Sequence, residues 1–152
     1  MIRENEAPSK LADSQVKSTR IIIAEPDSEL LLLYGLWQRS IGFEGMKMTG
    51  SGKSCIDQLY EYEKEKNKDS TSSYRDVIVI LDTHLRDIPS IQLAKEILTR
   101  NPNHHIIFTT TMPIEDIRRE LSLAGLRNYS ILTKPFELSK LSSLLLRSTE
   151  RG

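Results

Sequence analysis

The 152-residue chain predicts an α/β domain whose parallel sheet is covered by helices on both faces. Two observations carry that expectation. Strand-like and helix-like segments alternate five times from Thr19 onward, joined by short links. In addition, the third strand-like run, Asp76-Val77-Ile78-Val79-Ile80-Leu81-Asp82, is apolar without alternation until it ends on a carboxylate. Such a run suits a central strand buried on both faces. In open α/β sheets, ligands and chemistry gather outside the carboxyl ends of the strands. Asp82 is therefore a candidate nucleophile or metal ligand, although a helix cap or loop aspartate is the plainer reading of that residue alone.

The elements follow in order. Met1 to Ser18 is polar and aperiodic and reads as a flexible N-terminal tail, with a domain over 19–148 and a short C-terminal tail over 149–152. The first strand is Arg20-Ile21-Ile22-Ile23-Ala24. The first helix runs from Ser28 to Ser40, with Asp27 or Ser28 as N-cap and Gly42 just past its end. Its run Leu30-Leu31-Leu32-Leu33-Tyr34-Gly35-Leu36-Trp37 is apolar over more than the one stripe that packing on a sheet requires. A wide buried face is one account of it, and an additional protein contact the other. The second strand is Phe43 to Met48, and the second helix Ser51 to Lys66 ends in alternating charges typical of a solvated face. Asn67 to Ser73 reads as a polar loop. After the third strand come a helix over Ser90 to Arg100 and a strand from His105 to Thr109 or Thr110. Pro113 then opens a helix that stops at Gly125. Tyr129 to Thr133 forms the fifth strand and Leu138 to Arg147 the fifth helix.

Composition narrows the function classes. Lys plus Arg number 21 and Asp plus Glu number 21, so no global basic field favours direct nucleic-acid binding. The single cysteine, Cys55, excludes an internal disulfide and a cysteine zinc cluster, and reads as a small packing residue. The longest apolar stretches are too short for membrane insertion and the N-terminus lacks the apolar core of a signal peptide. A cytoplasmic protein is expected. Gly50-Ser51-Gly52-Lys53-Ser54 lacks the first glycine of a phosphate-binding loop, because Lys47 stands there, and reads as a capping turn. His104-His105 point to opposite faces of a strand and cannot easily chelate one ion. Neither Gly-x-Gly-x-x-Gly nor Gly-x-Ser-x-Gly occurs, which disfavours dinucleotide enzymes and nucleophile-elbow hydrolases. A flavin protein is disfavoured as well, since no Ser/Thr phosphate cradle follows the first strand.

The strand ends carry the chemistry. They read Glu25-Pro26-Asp27 after the first strand, Asp82 after the third, Thr109-Thr110-Thr111 after the fourth, and Lys134-Pro135 after the fifth. Carboxylates, a hydroxyl and an ammonium thus meet at one edge of one sheet. In this order they resemble the receiver domain of two-component response regulators, the chemotaxis-regulator type of flavodoxin-like fold. The likeness spans about Thr19 to Arg147 and includes Lys134-Pro135-Phe136, the Ala124-Gly125 pair, and Ile41-Gly42-Phe43-Glu44 followed by Gly50-Ser51-Gly52. It implies a doubly wound (βα)5 sheet of strand order 2-1-3-4-5, an order for which a receiver is already a stock example.

The resemblance also implies roles. Asp82 would be the phosphoacceptor, Lys134 its ionic partner, and Thr110 the switch hydroxyl, with Thr109 and Thr111 one place away on either side. A magnesium ion would be held by Asp82, by Glu25 or Asp27, and by the backbone carbonyl of His84. The family's second acid of the first strand aligns with Pro26, which has no oxygen to offer, and its fifth-strand aromatic aligns with Ile131. The implied partners are a histidine kinase or phosphotransfer protein and a downstream protein target docking on the face of the fourth helix, fifth strand and fifth helix. The apolar first helix leaves a homodimer open. The implied role is that of a stand-alone, non-enzymatic signalling receiver. A degenerate pseudo-receiver, acting as a phosphorylation-independent interaction module, is the alternative that Pro26 keeps alive.

Overall fold

The computed structural model describes residues 20–42, 45–68 and 77–150. Ten elements alternate along them: β1 (Arg20–Ala24), α1 (Ser28–Ile41), β2 (Met46–Thr49), α2 (Gly52–Lys68), β3 (Val77–Asp82), α3 (Ser90–Arg100), β4 (His105–Thr110), α4 (Ile114–Leu123), β5 (Tyr129–Thr133) and α5 (Leu138–Glu150). The strands form one parallel sheet in the order β2-β1-β3-β4-β5. Each crossover helix returns the chain to the same end, so the carboxyl ends of β1, β3, β4 and β5 share one edge.

Side chains of period two sort onto the sheet's faces. Ile21, Ile23, Ile78, Ile80 and Ile107 pack under α1 and α5 with Tyr34, Trp37, Leu141 and Leu145. Ile22, Ala24, Val79, Leu81, Ile106 and Phe108 pack under α2, α3 and α4 with Leu59, Leu93, Ile97, Ile117 and Leu121. All six residues of β3 are buried, which is why its sequence shows no alternation. Cys55 is fully buried in the second of these cores.

Several boundaries differ from expectation. The second strand runs from Met46 to Thr49 rather than starting at Phe43, and residues 43–44 lie outside those described. Asn67 and Lys68 are helical, and most of the expected loop, like the expected N-terminal tail, lies outside the described residues. The last helix reaches Glu150. Asp27 caps α1 by accepting from the Glu29 N–H at 2.9 Å, and Gly42 closes it at φ 86°, in the left-handed region where an added Cβ is unfavourable. Gly125 does the same after α4 at φ 81°.

The apolar excess of α1 is not a wide buried face. Tyr34, Trp37 and Ile41 turn inward, while Leu32, Leu33 and Leu36 are 67%, 50% and 57% exposed. Trp37 Nε1 donates to Ser142 Oγ at 2.9 Å and ties α1 to α5. Among the described residues no helix is long and apolar enough to cross a membrane.

Candidate functional site

Strand parity assembles the site. Glu25 continues the Ile21–Ile23 series and Asp82 the Ile78–Ile80 series, so both carboxylates rise on the α1–α5 side of the sheet. Lys134 continues from Leu132 onto the same side. Register seats β1 and β5 on either side of the β3–β4 pair, and the three side chains converge above β3.

One ammonium serves both acids. Lys134 Nζ lies 2.5 Å from Asp82 Oδ1 and 2.7 Å from Glu25 Oε1. The remaining carboxylate oxygens are also engaged: Asp82 Oδ2 accepts from the His84 N–H at 2.8 Å and Glu25 Oε2 from the Asp27 N–H at 3.0 Å. Glu25 is 1% exposed and Asp82 3%. Burial pushes Glu25 above the ordinary glutamate range, and the negative charge of Asp82 adds to that. The Lys134 hydrogen bond, the Asp27 N–H and the Lys134 charge only partly offset the rise. For Lys134 burial acts to lower the pKa, but hydrogen bonds and charges from Asp82 and Glu25 outweigh it and leave it raised.

Backbone contacts hold the rim. Thr83 N–H donates to Thr109 O at 3.0 Å, Lys134 N–H donates to Thr110 O at 2.7 Å, and Ser90 Oγ donates to Asp82 O. Thr110 is fully buried, and its hydroxyl accepts from Thr83 Oγ1 at 2.8 Å and from Met112 N–H at 3.0 Å. Thr111 is exposed, whereas Thr109 is buried and its carbonyl receives the Thr83 N–H. The Thr110 hydroxyl is thus one hydrogen bond from the residue that follows Asp82. His84 is exposed on the rim, with its ring Nδ1 3.1 Å from Thr83 Oγ1. The Lys134–Pro135 bond is cis.

Two site features were not foreseen. Asp87, in the loop after β3, reaches back to α2 and accepts from the Gly52 and Lys53 N–H groups, each at 2.9 Å. These two N–H bonds lower the Asp87 pKa, as expected for a carboxylate on a helix N-terminus. The Gly50-Ser51-Gly52 turn is therefore a helix start capped locally by Ser51 Oγ, which accepts from the Ser54 N–H at 3.1 Å, and a second time by Asp87 from 35 residues away. Thr83, the hydroxyl partner of Thr110, was also passed over, although its place beside Asp82 was the available signal.

Hard oxygen donors decide whether a divalent cation fits the pocket. Among the described residues no group of three His, Cys, Asp or Glu side chains stands together as a metal cage. Asp27 spends an oxygen on the α1 cap, and Pro26 offers none. Glu25 and Asp82 remain, two hard carboxylates close enough to share one cationic group. Magnesium is commonly bound through one or two carboxylates while keeping several waters. Two carboxylates fit that habit.

Neither a family model nor a curated protein matches the sequence. Solved structures do match the fold. A two-component response regulator from Clostridium difficile superposes with a TM-score of 0.67 at 17% identity, over 88% of this chain and 97% of that one. The signal receiver domain of an HD domain-containing protein from Pseudomonas fluorescens Pf-5 gives 0.68 at 17% identity, over 89% of each chain. The receiver domain of a sensor histidine kinase from Pseudomonas aeruginosa PAO1 gives 0.65 at 20% identity, over 88% and 98%. The fold is that of response-regulator receiver domains. That last structure holds a magnesium ion coordinated in its active site cleft. In the receiver fold of the present chain, Asp82, Lys134, Glu25 and Thr110 occupy the carboxyl edge of the sheet, and one oxygen of Asp27 accepts from the Glu29 N–H as the cap of α1.

Proposed function

We propose that the chain is a signalling receiver that accepts a phosphoryl group on Asp82 from a phosphohistidine donor, a histidine kinase or phosphotransfer protein. The observation that carries this reading is the Lys134 ammonium held at 2.5 Å from a buried Asp82 carboxylate at the sheet's carboxyl edge. An Asp82 oxygen attacks phosphorus, an O–P bond forms, and the donor's N–P bond breaks with the electron pair leaving on imidazole. Such transfer depends on positioning and on neutralising charge at the transferring oxygens. Lys134 supplies a full positive charge there and turns from the carboxylate to a phosphoryl oxygen. Thr110, released from Thr83, donates its hydroxyl to another. Glu25, Asp82 and the His84 carbonyl would hold a magnesium ion, which screens the same oxygens.

The product is an acyl phosphate, and the module acts through binding rather than by turning over a second substrate. The rearranged Thr110 and Lys134 lie at the ends of β4 and β5, so the face of α4, β5 and α5 is the surface that feels them and docks a downstream protein. On this reading the protein acts in the cytoplasm. A second reading, a receiver that binds partners without phosphate, is favoured by Pro26 at the place of a usual acid and by the commitment of Asp27 to the α1 cap.

Incubation with acetyl phosphate and magnesium separates the two. A phosphoryl adduct on the intact protein, absent from Asp82→Asn, supports the first reading. An unmodified wild-type protein that still captures its partner establishes the second.

A further inference from the structure

Helix α1 carries more apolar surface than the sheet uses. Tyr34, Trp37 and Ile41 fill the core, whereas Leu32, Leu33 and Leu36 stand largely in water. A single exposed leucine, such as Leu123 on α4, is ordinary. Leu32, Leu33 and Leu36 are different, because residues three and four apart on a helix lie side by side and join into a patch.

The same stripe ends in opposite charges. Glu29 lies three residues before Leu32 and Arg39 three residues after Leu36, and both are exposed. Among the described residues neither side chain has an ion-pair partner. The outer face of α1 therefore runs from acid through an apolar centre to base. Each charge suits the macrodipole at its own helix end, and the two also suit the same helix turned end for end. The pairs Glu29 with Arg39 and Leu32 with Leu36 share one midpoint, at the level of Tyr34. A two-fold axis there lays acid on base at both ends and leucine on leucine between them, with Leu33 beside its own copy. Isologous contacts require such a self-complementary surface. A parallel pairing would instead set Glu29 on Glu29 and Arg39 on Arg39.

We propose that this face of α1 docks on the same face of a second copy of the chain, antiparallel about that axis, to form a homodimer. The 14-residue helix is about 21 Å long, so one helix pair makes a contact smaller than a permanent interface. The dimer is accordingly transient and forms in the micromolar range or above. It goes beyond phosphoryl acceptance and does not depend on it.

Sedimentation equilibrium of the full chain, from micromolar to millimolar concentration, measures the association. Wild type is expected to pass from monomer to dimer across that range. Leu33→Lys and Leu36→Lys are each expected to weaken association about tenfold or more and to leave the circular dichroism spectrum unchanged, since both positions are exposed in the monomer. Glu29→Arg and Arg39→Glu, each alone, set like charges opposite one another at both ends and are expected to weaken it about tenfold. An equimolar mixture of those two variants again faces acid with base at both ends, and is expected to associate as a one-to-one pair. No occupant other than a second copy gives that rescue. A chain that stays monomeric at millimolar concentration overturns the proposal and leaves the face to a different protein. A dimer indifferent to the leucine substitutions overturns it too, as does a mixture no tighter than either charge variant alone. None of these results bears on phosphoryl transfer to Asp82, which the acetyl phosphate incubation reads separately.

Discussion

Replacing Lys134 by methionine tests the electrostatics of the pocket, because it keeps most of the side chain's apolar stem and removes only the charge. Glu25 and Asp82, at 1% and 4% side-chain exposure, would then face each other without a counter-ion. Removing one partner of a buried ion pair costs about 3–5 kcal/mol. Lys134 retains 18% exposure, and Glu25 can escape by taking up a proton, so the loss is expected near the lower end, about 2–4 kcal/mol at neutral pH. At about 2–4 °C per kcal/mol for a chain of this size, the unfolding midpoint should fall by roughly 5–15 °C. The pH dependence follows from Glu25. Its folded pKa is already raised, and losing both the hydrogen bond and the charge of Lys134 raises it further. Between the unfolded and folded values the native state binds more protons than the unfolded one, so the variant loses stability as pH rises through that window. Its cost is small in mildly acid buffer and full near neutrality. The raised folded pKa of Lys134 means that the wild-type protein keeps its contribution below the ordinary lysine value and loses it only as pH rises through the folded one. Thermal unfolding followed by circular dichroism in acid and neutral buffers measures both effects. A midpoint change under about 2 °C at neutral pH, or an equal cost in both buffers, would refute the shared-ammonium account.

Other outcomes are expected. Pro26→Asp should raise magnesium affinity by adding a hard oxygen at the end of β1, and calorimetric titration returning the wild-type constant would count against it. Asp87→Ala should cost about 1 kcal/mol in urea unfolding by stripping the cap from the Gly52 and Lys53 N–H groups. Since the folded pKa of Asp87 is lowered, that cost should fade as pH falls through it, and a pH-independent difference would contradict the assignment. His104→Phe should cost about 1–3 kcal/mol, because the buried Val77 N–H donates to His104 Nδ1 at 2.9 Å and would lose its acceptor. An unfolding midpoint within error of wild type would show that the N–H finds another.

Local pattern made most of the fold legible. The fully buried β3 declared itself by its unbroken apolar run, Gly42 and Gly125 marked helix ends, and Asp27 marked a helix start. The second strand was placed too early because only four residues pair with β1, and one of those, Lys47, is of a type depleted in strands. The site was legible where it lay at strand ends, as with Glu25, Asp82 and Lys134. Asp27 was a fair metal candidate by type, and only the geometry shows its oxygen turned to its own helix. Asp87 on α2, Trp37 on Ser142 and His104 on Val77 were not legible. Each joins residues 27 to 105 positions apart, and no periodicity or local composition encodes such a link.

The indole–hydroxyl bond between α1 and α5 has a practical consequence. Trp37 is the chain's single tryptophan, and its ring nitrogen is hydrogen-bonded to Ser142 within a nearly dry interface. Its emission wavelength therefore acts as a built-in optical gauge of the gap between those two helices. Any partner that pries them apart will wet the ring and shift its glow to the red, with no label attached.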